Sequence, residues 1–203
     1  MRVLNCGDTG VLVEVADLAQ ALALQAALGE NPIPGVVEAV PAARTVLLRV
    51  DPASPGGVRA VAEAARRLRP RTGDLPRGGE VDIDVQYDGA DLGEVAEITG
   101  MTEREVVHAH TSARWTVAFG GFAPGFGYLV GDDRRLDVPR RGESRTRVPA
   151  GSVALAGGFG GIYPRSSPGG WRLLGHTDAV VWDLDRDPPG LLVPGTRVRF
   201  REV

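Results

Sequence analysis

A short stretch near the carboxyl end of this sequence combines residue types that bind anions. It reads GGIYPRSSPGGW, residues 160–171. Glycines let a ligand approach backbone N–H groups, prolines fix a loop, and serine hydroxyls and arginine donate to carboxylate or phosphate oxygens. Tyr163 and Trp171 would add apolar walls with polar tips. The stretch predicts a loop-lined anion pocket. A curved β-barrel also uses glycine kinks and aromatic fillers, so a structural role stays open for each glycine.

The distribution of charge favours the same interpretation. No acid occurs from Ser144 to Thr177, and residues 134–177 hold eight arginines against Asp137 and Glu143. Residues 81–105, in contrast, hold eight acids against one arginine. All 23 basic residues are arginine, which excludes a Schiff-base lysine, a lysine general base and the lysine of a phosphate-binding P-loop. Anion recognition here must use arginine, backbone N–H groups or another subunit.

Several classes of protein are disfavoured by composition. Cys6 is the single cysteine, and with three histidines it offers no ligand spacing for structural zinc, so we predict no metal site. No apolar run approaches the roughly 20 residues of a membrane helix, and the start lacks the apolar segment of a signal peptide. We expect a cytoplasmic protein with no membrane association. With 203 residues, 43% of them hydrophobic, the chain can bury a real core.

Two domains are predicted from the order of the elements. In the first part, strand patterns alternate with helical ones; Asp17 with Gln20 signals a helix start, and the strand EVDIDV (80–85) completes a strand, helix, two strands, helix, strand order. After residue 115, short strands separated by Gly and Pro clusters indicate a β-barrel or sandwich. A linker is expected at 69–79, and the last strand of the first unit could follow it. We therefore predict an α+β domain at 1–80 and a mainly β domain at 81–203.

Two short helices are predicted between these parts. Asp91 with Glu94, and Thr102 with Glu105, are matching start signals on either side of Gly100. Helix, turn, helix is typical of DNA-reading units, but Glu103 and Glu105 would face phosphates. We expect a helical cap on the sheet and no nucleic-acid partner.

Four segments of this chain resemble a known family. "F-x-P-G-F-x-Y-L" at 122–129, "VPAGSV" at 148–153, "GIYP" at 161–164 and "SPGGW" at 167–171 occur together in the order and spacing of the family that includes the B subunit of 5-oxoprolinase and KipI, also called the allophanate hydrolase subunit 1 domain. The resemblance covers nearly the whole chain and is strongest after residue 87. It implies an α+β amino-terminal domain followed by a cyclophilin-like β-barrel.

The chain departs from the family pattern near the expected pocket. Phe159 and Gly160 stand where the family has Gln-Thr, His176 stands where an arginine is common, and Ser144 replaces a frequent proline. Two polar side chains and one charge are thereby absent from the expected site. These departures leave the predicted fold unaffected but favour a loss of the catalytic activity of the family.

Candidate site residues follow from the pattern and the resemblance together. His110, Arg147 and Arg172 are the predicted catalytic residues, the first as a base and the two arginines as anion clamps. His110 could instead simply complement a helix dipole, and alternation could turn either arginine to solvent. The serines have no visible His/Asp pairing, which favours a hydrogen-bonding role. The predicted substrate-binding residues are Phe126, Tyr128, Ser152, Gly157, Gly158, Tyr163, Ser167, Gly169, Gly170 and Trp171.

Two functions are implied by the resemblance. The first is a subunit of an ATP-dependent 5-oxoprolinase that opens the cyclic amide 5-oxoproline to glutamate with a homologous C subunit and an A subunit. ATP, with Mg²⁺ as its counter-ion, would be shared with those partners, and the substrate would be a small amide or carboxylate. The alternative is a regulator of the KipI type that inhibits autophosphorylation of a sensor histidine kinase, or a carboxyltransferase-like module related to urea carboxylase. Prolyl isomerase activity would rest on the barrel analogy alone.

Overall fold

A computed structural model describes residues 1–69 and 78–203 of the chain, which divides into two compact units, Met1–Pro76 and Arg77–Val203. Most of the predicted linker at 69–79 lies outside the described residues. Among the described residues, no helix is both long and apolar enough to cross a membrane.

The first unit is a four-stranded antiparallel sheet that packs against two helices. Its strands are β1 (Arg2–Asn5), β2 (Gly10–Glu14), β3 (Val36–Pro41) and β4 (Thr45–Val50), in the order β1-β2-β4-β3. The helices are α1 (Leu18–Glu30) and α2 (Gly57–Arg67). Asp17 caps α1 as predicted, since its carboxylate accepts a hydrogen bond from Gln20 N at 2.9 Å. Alternate strand residues such as Val11 and Val46 and the helix residue Leu24 bury one core.

The second unit is built on a seven-stranded sheet. Its strands are β5 (Glu80–Val85), β6 (Trp115–Gly120), β7 (Gly127–Val130), β9 (Ser152–Ala156), β10 (Phe159–Ile162), β12 (Arg172–His176) and β13 (Arg197–Glu202), in the order β12-β9-β10-β7-β6-β13-β5. A small sheet pairs β8 (Arg145–Val148) with β11 (Ser167–Gly169). An antiparallel bridge between Gln86 and His176 joins the two ends of the large sheet. The sheet is therefore nearly closed, as in a barrel.

The order of the elements predicted that the strand EVDIDV completes the first unit. In the structure it belongs instead to the sheet of the second unit. β5 pairs in parallel with β13, from Glu80 opposite Arg197 to Val85 opposite Glu202. Local alternation predicted the strand but not its partner, because a partner so distant in sequence is chosen by packing. Buried Ile83 and Phe200 show which faces of the two strands point into the core.

Two helices cover one side of the barrel. They are α3 (Leu92–Thr99) and α4 (Glu103–Ser112). Thr102 and Glu105 form the predicted capping box at the start of α4. Asp91 occupies the N-cap position of α3, but its side chain makes no capping bond. Its carboxylate accepts hydrogen bonds from arginine side chains and from Leu173 N instead. The predicted class, an α+β domain followed by a mainly β barrel domain, is confirmed.

Candidate functional site

An aromatic pocket opens on the second unit, where the loop between β6 and β7 meets the strands β10 and β11. We call it the aromatic pocket; it has a volume of about 210 Å³. Its lining consists mainly of rings, with one arginine and one hydroxyl side chain besides the tyrosines. The lining residues are Phe122, Phe126, Tyr128, Arg140, Ser144, Tyr163, Pro168, Gly169 and Trp171.

The rings hold each other in fixed positions. Phe126 is central: its centroid lies 5.1 to 5.6 Å from those of Tyr128, Trp171 and Tyr163, and each pair packs edge to face. Such pairs contribute about 0.5–1.5 kcal/mol each beyond the burial of area. Phe126, Tyr163 and Trp171 are all buried. The walls of the pocket are therefore preformed rather than assembled on binding.

Phe122 is the exposed ring of this group. Its φ of +67° is the left-handed conformation, and it is the one non-glycine residue with positive φ in the part of the chain that the structure describes. A bulky side chain in that conformation is strained by about 1–2 kcal/mol. Its ring, 59% exposed, contacts Phe126 and Tyr163 edge to face at the pocket mouth. Strain of this kind is characteristic of functional sites.

Gly169 makes room for Tyr163. A Cβ on this glycine would lie 2.9 Å from two ring atoms of Tyr163, which is closer than real Cβ contacts. The glycines of the SPGGW segment therefore let the chain pass tightly over a buried tyrosine.

Arg140 supplies the positive charge of the pocket. It is exposed, and it forms no ion pair with any of the described residues. Burial raises the pKa of Tyr128 and Tyr163, and the nearby charge of Arg140 only partly opposes that rise. Both phenols therefore stay protonated near neutral pH and can donate hydrogen bonds. Ser144, also in the lining, adds a second type of donor.

The neighbouring arginines are already paired with acids. Asp91, 1% exposed, accepts hydrogen bonds from Arg141 at 2.6 Å, from Arg145 at 2.7 and 2.8 Å, and from Leu173 N at 2.8 Å. Burial raises the pKa of Asp91, but the hydrogen bonds from Arg145 and Leu173 and the charges of both arginines outweigh it, so the pKa is lowered. Asp91 is therefore ionised and neutralises part of the predicted anion-binding charge.

Arg172, predicted as an anion clamp, is also paired within the protein. Its Nη1 lies 2.5 Å from Glu94 Oε2 as an ion-pair contact, and its Nε donates to Pro139 O at 2.9 Å. The side chain is 8% exposed. Because both its charge and its Nε are engaged, Arg172 positions the segment that carries Arg140 and does not face the pocket. The prediction of a clamp at this residue is wrong for this structure.

His110, predicted as a general base, is a core residue. It is fully buried among Phe200 and Trp115, and burial lowers its pKa to about 3. Its Nδ1 and the hydroxyl of Tyr87 form a hydrogen bond of 2.7 Å, and burial also raises the pKa of Tyr87, so that hydroxyl keeps its proton. No substrate can reach this imidazole, and it is absent from the pocket lining. The prediction of a base is corrected to a packing role.

Arg147 and two glycines also lie outside the pocket lining. Arg147 is exposed, and its Nε donates to Ser166 Oγ at 3.2 Å. Gly157 and Gly158 form the two-residue turn between β9 and β10, with φ of +58° and +81°. Positive φ at both positions is the requirement of a tight hairpin turn, so these glycines shape the fold. The alternation of side chains along a strand had allowed Arg147 to face either the pocket or solvent, and in the structure it is exposed to solvent.

The remaining predicted residues divide between the pocket and its support. Phe126, Tyr128, Tyr163, Gly169 and Trp171 line the pocket. Ser152 and Ser167 are buried in strands β9 and β11 and are not among the lining residues. Gly170 lies just behind the lining, where a Cβ would come 2.8 Å from Ser144 Oγ.

Phe122, Arg140, Ser144 and Pro168 line the pocket but were not among the candidates. An aromatic residue inside the Gly- and Pro-rich run GGFAPG was the available signal for Phe122. Nothing in the pair Arg140-Arg141 distinguishes the free guanidinium from the paired one. That difference depends on Asp91, which is 50 positions from Arg141 in the sequence.

The pocket does not fit ATP. Its volume is below the roughly 300–1,000 Å³ of pockets for drug-sized ligands, and the one charge of Arg140 is too little for a triphosphate. No group of three or more His, Cys, Asp or Glu side chains that could hold a metal ion occurs in residues 1–69 and 78–203. The expected ATP is therefore too large and too highly charged for this pocket, and its binding site and that of Mg²⁺ stay predictions.

Comparisons with known proteins place the chain among relatives. A family model described as carboxyltransferase domain, subdomain C and D, matches residues 1–192. The chain is 43% identical to the B subunit of 5-oxoprolinase from Escherichia coli O157:H7 over an alignment of 173 residues that covers 83% of this chain and 78% of that protein. It is 36% identical to the B subunit of 5-oxoprolinase from Bacillus subtilis, covering 98% of this chain and 91% of that protein.

Solved structures agree on the fold. The protein TTHA0988 superposes with a TM-score of 0.76 at 38% identity, covering 96% of this chain and 40% of that one. This chain thus spans less than half of that longer protein. Urea amidolyase from K. lactis superposes with a TM-score of 0.77 at 20% identity, covering 99% of this chain and 15% of that one, which shows a shared fold alone.

Proposed function

Because this chain belongs to the family of the 5-oxoprolinase B subunit, we propose that it is the subunit of an ATP-dependent 5-oxoprolinase whose aromatic pocket binds the cyclic amide. The observation that carries the proposal is the free Arg140 at an otherwise aromatic pocket of about 210 Å³. 5-Oxoproline is a small, nearly planar ring that carries one carboxylate. A single guanidinium and a ring-lined wall match those two features.

Each polar group of the pocket has a part in this proposal. Arg140 pairs with the substrate carboxylate, and Ser144 donates a second hydrogen bond to it. The protonated hydroxyls of Tyr128 and Tyr163 are donors for the amide oxygen of the ring. Phe122 covers the mouth. The chain thereby binds and orients the amide and keeps water from it.

Activation of the amide belongs to the partner subunits in this proposal. Phosphoryl transfer needs several cations or backbone donors around the phosphates. Near the pocket, Arg141 and Arg145 are paired with Asp91, and Arg172 with Glu94. We therefore assign ATP and Mg²⁺ to the C-type or A-type subunit, and we give Arg147 and Arg172 no part in stabilising a transition state.

The experiment compares two ligands on two variants. Binding of 5-oxoproline and of 2-pyrrolidinone, which lacks the carboxylate, is measured by calorimetry on the wild type, on Arg140→Gln and on Arg165→Gln. Arg165 is an exposed arginine of the same unit outside the pocket lining. A charged hydrogen-bonded pair contributes about 1.5–3 kcal/mol, so Arg140→Gln is expected to weaken 5-oxoproline binding about 10- to 100-fold.

Selectivity decides the outcome. Arg140→Gln should leave 2-pyrrolidinone binding unchanged, and Arg165→Gln should change neither ligand. Equal loss for both ligands, or no loss for either, would contradict the role of Arg140. Absence of 5-oxoproline-dependent ATP hydrolysis by the chain with its C-type and A-type subunits would contradict the enzymatic proposal and favour a regulator of the KipI type.

A further inference from the structure

Gly170 lies directly behind the polar end of the aromatic pocket. Its neighbours in the chain, Gly169 and Trp171, line the pocket, whereas Gly170 is buried and is not a lining residue. A Cβ on Gly170 would lie 2.8 Å from Ser144 Oγ and 3.7 Å from Arg140 Nη2. The hydroxyl and the guanidinium therefore border one small space, which exists because Gly170 has no side chain. We call this space the Gly170 notch.

The two polar groups of the notch belong to one segment, residues 139–145, whose backbone is held at several points. Pro139 O accepts a hydrogen bond of 2.9 Å from a buried arginine, and Arg141 N donates to Gly170 O at 2.9 Å. Arg145 ends the segment with two hydrogen bonds, of 2.7 and 2.8 Å, to a buried carboxylate. Because the segment is fixed before a ligand arrives, binding needs little further ordering of the chain.

The hydroxyl of Ser144 is available to a ligand. In the part of the chain that the structure describes, no hydrogen bond engages Ser144 Oγ. A methyl group on Gly170, at 2.8 Å, would force this oxygen into another rotamer, because real Cβ contacts are not that short. The same methyl group would meet Arg140 Nη2 at 3.7 Å, which is ordinary van der Waals contact. Loss of the notch therefore moves the hydroxyl and leaves the guanidinium in place.

The backbone at Gly170 does not require a glycine. Gly157 and Gly158 have positive φ, but Gly170 does not, so alanine can adopt its backbone conformation. Its hydrogen bond from Arg141 N uses a backbone carbonyl, which every residue has. The space beside Ser144 is therefore the feature that a side chain on Gly170 would remove.

We propose that Gly170 is a positioning residue that determines specificity: it keeps the Ser144 hydroxyl beside Arg140, so that the two groups together bind the carboxylate of a small ring. The ligand and the role of Arg140 rest on the proposed function. A guanidinium alone attracts any anion, whereas a guanidinium and a hydroxyl at a fixed separation give each oxygen of one carboxylate its own donor. The notch thereby favours cyclic carboxylates over neutral rings of the same size.

The test is a double-mutant cycle on Gly170 and Ser144. Calorimetry measures binding of 5-oxoproline, of cyclopentanecarboxylate, which has the carboxylate without the amide, and of 2-pyrrolidinone, which has the amide without the carboxylate. The proteins are the wild type, Gly170→Ala, Ser144→Ala and the double variant Ser144→Ala/Gly170→Ala. Gly142→Ala, in the same segment, is the matched control, because a Cβ there meets no atom within 4 Å.

We expect Gly170→Ala and Ser144→Ala each to weaken binding of both carboxylates about 10-fold and to leave 2-pyrrolidinone binding unchanged. In the Ser144→Ala background, Gly170→Ala should cause no further loss, because without Oγ the nearest atoms to the added Cβ lie at 3.7 Å. Gly142→Ala should bind all three ligands as the wild type does.

Three results would overturn the proposal: wild-type affinities in Gly170→Ala, an equal loss for 2-pyrrolidinone, or additive losses in the double variant. If Gly170→Ala does not fold, the double variant decides. Recovery of folding in that variant supports the contact between Gly170 and Ser144, and a double variant that also fails to fold overturns it.

The outcome is separable from that of the proposed function. Binding of cyclopentanecarboxylate that depends on Gly170, without binding of 5-oxoproline, would contradict the function and retain the notch. Binding of 5-oxoproline that depends on Arg140 but is insensitive to Gly170→Ala would retain the function and remove the notch. A wild type that binds neither carboxylate overturns both.

Discussion

Asp91 and Arg145 form two hydrogen bonds, from Nη1 to Oδ2 at 2.8 Å and from Nη2 to Oδ1 at 2.7 Å, although 54 residues separate them. Asp91 precedes α3, and Arg145 begins β8. The pair therefore fastens the helical cap to the strand that follows Arg140 and Ser144 in the pocket lining. Removal of either partner leaves a charge with little access to water.

Asp91→Asn is expected to destabilise the protein by about 3 kcal/mol or more, because it leaves the guanidinium of Arg145 without its counter-charge and Arg141 with only Glu94, at 3.3 Å. Denaturant unfolding monitored by circular dichroism measures this. The matched control is Asp132→Asn, which removes an exposed pair with Arg114 and should leave stability nearly unchanged. If both variants lose a comparable free energy of unfolding, the buried ion pairs of Asp91 contribute no more to stability than the exposed pair of Asp132.

The pH dependence of Asp91 follows from its lowered pKa. A carboxyl with a lower pKa in the folded state stabilises above its unfolded pKa of 3.8, and that stability is lost as pH falls through the folded value. Wild type and Asp91→Asn should therefore converge in stability at strongly acidic pH. A difference that stays constant down to about pH 2 would contradict the charge-based explanation.

His110 predicts a second acid sensitivity, in a different pH range. Its pKa is about 3 in the folded state against an ordinary value of 6.5 in the unfolded chain, so between these values only the unfolded chain takes up the proton. Stability should fall as pH drops from 6.5 towards 3, with a slope of about 1.4 kcal/mol per pH unit from this residue. His110→Gln should remove that part of the slope. The exposed His108→Gln on the same helix should not, and equal slopes in all three proteins would refute the prediction.

Gly169→Ala is expected to disturb the pocket, because the added Cβ would overlap the ring of Tyr163. The loss should appear as weaker 5-oxoproline binding together with a lowered melting temperature. Gly142→Ala is the control, since a Cβ there meets no atom within 4 Å and the backbone conformation is ordinary. If both variants bind alike, the close approach at Gly169 has no bearing on the pocket.

Phe122→Asn separates binding from stability. Asparagine tolerates the left-handed conformation better than phenylalanine, and the Phe122 ring is exposed, so the free energy of unfolding should change by less than about 1 kcal/mol. Loss of the ring should weaken 5-oxoproline binding about 2- to 10-fold, as expected for aromatic contacts. A strong loss of stability with unchanged binding would mean that the ring serves the fold.

The sequence by itself determined the family, the class of fold and the aromatic character of the pocket. Period-two and helical patterns, the caps at Asp17 and Thr102, and the Gly- and Pro-rich aromatic segments are local signals that extend over a few residues. These signals are sufficient to locate Phe126, Tyr128, Tyr163 and Trp171.

Only the tertiary structure decided which arginine side chains are free to bind a ligand. The acid-rich segment and the arginine-rich segment, separate in sequence, pair across the fold through Asp91 and Glu94, and that leaves Arg140 free. It also decided that His110 is buried and that β5 pairs with β13. The physical reason is the same in each case: the energy of a charge or a strand edge depends on its neighbours in space, which local patterns do not specify.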